Sequence, residues 1–162
     1  MGAILGNVML GLASDFAGIR SPFFQSSLLL GAVFCFVLAA APPHSYYLCA
    51  SMSFGMGFFA MGASIVMNAI MGDIGKALLA QGFKSVMTTI AGFNDGAGSF
   101  GSAFGQLIMG YVQQDFGWKH TIQMLGGLMI VAALPSLGYL VREVRDFRAA
   151  RKVAGMLPKN SL

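Results

Sequence analysis

One carboxylate stands alone inside a long, otherwise uncharged stretch of this 162-residue chain: Asp95, in the run Thr89-Ile90-Ala91-Gly92-Phe93-Asn94-Asp95-Gly96-Ala97-Gly98-Ser99-Phe100-Gly101. An acid among apolar residues needs a cation, hydrogen-bond donors or an aqueous cavity to offset its lost hydration. Asn94 beside it and Gln106 further along add carboxamides, which both donate and accept hydrogen bonds. Asn68, Thr88 and Thr89 are weaker members of the same set, equally able to bond to backbone carbonyls. Such groups suit the binding of a polar solute, whereas a structural ion pair or a protonated packing acid is the alternative for Asp95. Covalent and metal chemistry find no support. There is no GxSxG, Walker loop, HExxH or CxxC, and two His with six acids are too sparse for a metal site. No metal or other cofactor is expected. Cys35 and Cys49 lie in apolar segments, where a thiol behaves as a small hydrophobe.

The elements that must position these groups follow from composition. Residues of the AVILMFWYC set make up 56% of the chain and charged residues 10%, with a mean hydropathy of +0.72, whereas a soluble domain carries about 25% charge. A soluble globular enzyme is therefore excluded. Nucleic-acid binding is disfavoured, because the net charge of +4 comes largely from one terminal tail. A helix needs about 20 mostly apolar residues to cross about 30 Å of hydrocarbon. Cutting the chain at its charges and prolines predicts an all-α bundle with a partial span over 1–13 and full spans over 22–41, 46–71, 86–112 and 121–141. Residues 14–21 form a polar turn, 74–85 a mixed connector, and 142–162 a polar tail. The tail is expected to continue the last helix briefly and touch anionic headgroups, and Pro135 is expected to kink that helix. No removable targeting segment is read at the start. Arg20, Lys76, Lys84, Arg142, Arg145, Arg148, Arg151, Lys152 and Lys159 then share one side, with Lys119 opposite. The positive-inside rule makes the nine-residue side, and the carboxyl terminus, cytoplasmic. Within the spans, the Gly92-x-x-x-Gly96 and Gly101-x-x-x-Gly105 spacings permit close helix packing in lipid.

The turn Gly11-Leu12-Ala13-Ser14-Asp15-Phe16-Ala17-Gly18-Ile19-Arg20 places glycine, acid, glycine and base at the spacing of a known signature. It resembles the cytoplasmic loop of the major facilitator superfamily, G-x-x-x-D-[RK]-x-G-R-[RK]. Gly11, Asp15, Gly18 and Arg20 match, while Phe16 and Ser21 replace bases. Asp73-Ile74-Gly75, the run from Thr89 to Gly101, Gly105-Gln106 and Phe116-Gly117-Trp118 are similar to the eleventh helix and flanks of organophosphate:phosphate antiporters. Within these, the sugar-phosphate exchanger branch, solute carrier family 37, is the nearest. The resemblance implies the end of helix 8 through helix 12 of a longer carrier, either a true carboxyl-terminal piece or a truncated gene. The amino half is then the missing partner, and the small substrates are a phosphorylated sugar and phosphate, exchanged by alternating access across a membrane such as that of the endoplasmic reticulum. This segment has no cation at membrane depth, and the family's phosphate clamp lies on helices outside it. A carrier of another organic anion or metabolite, or a non-transporting membrane fragment with a structural role, are the competing readings.

Overall fold

The structure, a computed structural model, describes residues 1–42, 44–83 and 86–156, the side chains of 146–156 excepted. Five helices account for nearly all of it: α1 (Gly2–Ala17), α2 (Ser21–Ala40), α3 (Tyr46–Ala80), α4 (Val86–Phe116) and α5 (Trp118–Met156). Among the described residues there is no strand. Lys84 and Lys159, two of the nine bases expected on one side, lie outside the described residues.

The breaks fall where local chemistry demands them. Gly18 ends α1 in the left-handed conformation, φ 66°, a position a side chain would strain. Three residues later Ser21-Pro22 opens α2, where proline's missing N–H costs nothing. Gly82 and Gly117, with φ of 91° and 80°, end α3 and separate α4 from α5. α1, α3, α4 and α5 all run beyond the apolar spans, α1 to Ala17 and α4 to Phe116. The 74–85 connector is helical as far as Ala80, because Lys76-Ala77-Leu78-Leu79-Ala80 are strong helix formers with no proline among them. The last helix likewise continues through Pro135 and the start of the charged tail to Met156.

α2, α3 and the Trp118–Arg145 part of α5 are long and apolar enough to cross a membrane; α1 is apolar but shorter. The fourth expected span, α4, has the length, 31 residues, but falls short in apolar character because its middle is glycine, serine, asparagine, aspartate and glutamine. That deficit is confined to one face, as described below.

α2 packs closely on α3 and α5, and α1 on α3, while α4 rests more sparingly on α3 and α5. The tightest approach is α1 on α3. A Cβ on Gly2 would strike the carbonyl of Phe54, one on Gly6 the carbonyl of Phe58, and one on Gly62 the side chain of Leu10. Here the glycine spacing does what small residues do in lipid, letting backbones meet. α2 meets α5 where Gly126 faces Cys35 and Ala32, and where Gln25, 7% exposed, donates to the Ala133 carbonyl at 3.2 Å and accepts from Ser136. Leu28, Ala63 and Ala133, with Phe24 against them, form the shared core of α2, α3 and α5.

Candidate functional site

The signature turn is built first by ion pairs. Arg20 reaches Asp15 at the end of α1 (3.2 Å) and Asp73 on α3 (2.9 Å); Lys76 adds a looser contact to Asp73 (3.9 Å). Glu143 of α5 completes the cluster. Its carboxylate accepts the backbone N–H groups of Arg20 and Ser21, both at 2.9 Å, and the Ser21 hydroxyl. An anion at the first turn of α2 meets both the orphan amides and the positive end of the helix dipole. A Cβ on Gly11 would come into ordinary contact with Ile65, and Ser14 bonds back to the Gly11 carbonyl. Thus Gly11, Asp15, Gly18 and Arg20 do not stand as a loop in solvent. They form one end of the bundle, where the last turn of α1, the turn 18–20 that follows in place of the expected 14–21, the last turns of α3 and residue 143 of α5 meet. Sequence reasoning missed Asp73 and Glu143 as partners, because both come from distant helices and carry no local signal.

A second polar assembly lies in the α3–α4 hairpin. Asp95, Asn94 and Gln106 all line one open cleft of about 830 Å3, together with Asn68 and Ser64 from α3 and Ser99 and Ser102 from α4. Asn94 donates to the carboxamide oxygen of Asn68 at 3.1 Å, tying the two helices. Asp95 lies nine residues into α4, which starts at Val86, roughly 14 Å along its axis.

The face that Asp95 shares is not accidental. At 100° per residue, Asn94, Asp95, Gly98, Ser99, Ser102 and Gln106 fall on one side of α4. Phe93, Phe100, Phe104, Leu107 and Tyr111 fall on the other, all exposed, with Phe100 and Phe104 in ring contact at 4.9 Å. This amphipathicity explains the modest apolar character of α4. It also matches a helix with lipid on one side and an aqueous cavity on the other.

Gly92, Gly96, Gly101 and Gly105 make no close approach among the described residues. A Cβ at any of the four would meet nothing within 4 Å, and α4 buries no residue. Close approaches between helices are made at Gly2, Gly6, Gly55, Gly62 and Gly75. No group of His, Cys, Asp and Glu among the described residues could hold a metal ion.

The cleft offers neutral carboxamides and hydroxyls, which donate and accept, and one carboxylate; none of its lining residues is cationic. It can therefore hold a hydroxyl-rich neutral moiety, but supplies no charge to pair with a phosphate. A smaller recess of about 180 Å3 adjoins it on the side of the α3–α4 turn, lined by Met71, Gly72, Met87 and Ile90 and sharing Asn68, Asn94 and Asp95.

No family model and no solved structure matches the chain. Curated relatives do. The chain is 34% identical over 145 residues to the sugar phosphate exchanger 3 of Mus musculus, an alignment covering 89% of this chain and 29% of that protein. It is 30% identical over 153 residues to the Xenopus laevis protein of the same name, covering 94% of this chain and 30% of the relative. A putative glycerol-3-phosphate transporter 1 of Arabidopsis thaliana is 28% identical over 147 residues, 90% of this chain and 28% of that one. The chain spans about 30% of the length of these relatives. Over the residues it has, this multi-pass membrane chain belongs to the sugar phosphate exchanger family.

Proposed function

We propose that this chain supplies the end of helix 8 through helix 12 of a carrier that exchanges a phosphorylated sugar, or a related organophosphate, for inorganic phosphate by alternating access. The observation that supports it best is the gathering of Asp95, Asn94, Gln106 and Asn68 in one cleft, with the aromatic face of α4 turned away. In this reading the cleft is one wall of the substrate cavity and holds the hydroxyls of the sugar. The phosphate is held by cations on helices that the relatives' remaining length would supply. Gly92, Gly96, Gly101 and Gly105, open in this chain, then pack against that remainder. The 14–21 turn, the end of α3 and the carboxyl terminus face the cytoplasm, and the endoplasmic reticulum is the proposed membrane.

Substrate protection tests this reading. Gly98 lines the cleft, and a Cβ there meets nothing, so Gly98→Cys introduces a thiol without a clash. In a complete carrier, a sugar phosphate should slow alkylation of that thiol far more than inorganic phosphate does, since only the former carries hydroxyls into the cleft. Equal protection by both, or none by either, would remove the sugar-binding assignment.

A further inference from the structure

The polar cleft and the apolar recess adjoin along Asn68, Asn94 and Asp95, which line both. The 3.1 Å bond between the carboxamides of Asn94 and Asn68 lies on this boundary and ties α4 to α3 there. Numbering fixes the direction: along α3 the residues of the recess, Met71 and Gly72, follow Asn68 toward the turn, and along α4 Met87 and Ile90 precede Asn94. The recess is thus the next compartment on a line from the cleft to the α3–α4 turn. Below it, Met87 lies against Gly75 so closely that a Cβ there would overlap the sulfur.

We propose that the Asn68–Asn94 pair is a latch closing the solute cleft toward the α3–α4 turn, and that its opening joins the cleft to the recess. The inference rests on the cleft being water-filled, as the proposed transport cavity requires. Its chemistry suits a latch. Two neutral carboxamides exchange their mutual bond for bonds to water or to hydroxyls with little net change, unlike an ion pair at the same depth. The recess walls offer methionine and isoleucine, flexible or compact side chains with no hydrogen bond to break, so the pair is the only polar tie described across this boundary. α4 is otherwise lightly held, which leaves room for the hairpin to spread.

Two reporter thiols decide the matter in the full 162-residue chain, with Cys35→Ala and Cys49→Ser removing the natural thiols, in lipid nanodiscs. Gly72→Cys reports on the recess and Gly98→Cys on the cleft; neither Cβ meets a neighbour. With the pair intact, a small charged methanethiosulfonate reagent should modify Gly98→Cys at least about tenfold faster than Gly72→Cys, a ratio equivalent to about 1.4 kcal/mol. Adding Asn68→Ala, or independently Asn94→Ala, should bring the Gly72→Cys rate to within about threefold of the Gly98→Cys rate. Two variants on different helices guard against the misfolding of either. Equal rates with the pair intact, or a slow Gly72→Cys unchanged by both alanines, overturns the latch while leaving the cleft standing. An unreactive Gly98→Cys overturns the water-filled cleft and the latch with it.

Discussion

Replacing Glu143 by alanine should loosen the bundle more than any ion-pair deletion at the same end. The carboxylate accepts three donors: the amides of Arg20 and Ser21 at 2.9 Å and the Ser21 hydroxyl. Losing it leaves the first turn of α2 with two orphan amides and no anion. Loss of an N-cap partner costs roughly 0.5–2 kcal/mol, and loss of a charge at a partly buried helix terminus adds about 1 kcal/mol. Glu143→Ala should therefore destabilise by about 1.5–3 kcal/mol. Glu143→Gln keeps one acceptor but removes the charge, for about 1 kcal/mol. Arg20→Gln is the control. Its partners Asp15 and Asp73 are 60% and 46% exposed, and pairs of that kind are worth about 0–1 kcal/mol. Equilibrium unfolding in mixed micelles, titrated with a denaturing detergent, reads all three. The order expected is Glu143→Ala worst, then Glu143→Gln and Arg20→Gln near one another. If Glu143→Ala unfolds together with the parent chain, the carboxylate is not what joins α5 to the start of α2.

The same assay separates the two groups of glycines: Gly6→Ala, whose Cβ would strike the Phe58 carbonyl, should cost about 1–3 kcal/mol, while Gly96→Ala, open on all sides, should be neutral or slightly stabilising in this chain. A neutral Gly6→Ala would show that α1 does not approach α3 as described. Topology is tested by single cysteines at Leu78 and His44 with a membrane-impermeant maleimide: the two should label from opposite faces, with Leu78 cytoplasmic. Labelling of both from one side would remove the orientation drawn from the basic residues.

Much of this architecture was legible in the chain because transmembrane helices are written in long apolar runs, and the polar turn at 14–21 and the glycine at 117 punctuate them plainly. Asp95, Asn94 and Gln106 could be singled out because polar groups are scarce in such runs, and the structure places all three in one cleft. What local reading could not supply is pairing across distance. Glu143 reads as one acid in an alternating charged tail, yet it caps a helix more than 120 positions earlier. α3 and α5 continue well beyond their apolar spans, since a change from apolar to charged residues marks the end of the apolar run, not the end of the helix. Glycine spacing was the most ambiguous signal. Gly2-x-x-x-Gly6 has the same four-residue interval as Gly92-x-x-x-Gly96, and only the former meets another helix within this chain.

The central claim is that the polar face of α4 lines the path of the transported solute, and Asp95→Asn in a complete carrier tests it most directly. The substitution keeps size and hydrogen-bonding capacity and deletes only the charge. Proteoliposomes loaded with phosphate should show exchange with sugar phosphates that is slowed, or redistributed among substrates of different chain length, with the amount of inserted protein unchanged. Identical kinetics and identical selectivity across that substrate range would contradict the account and return Asp95 to a purely structural role.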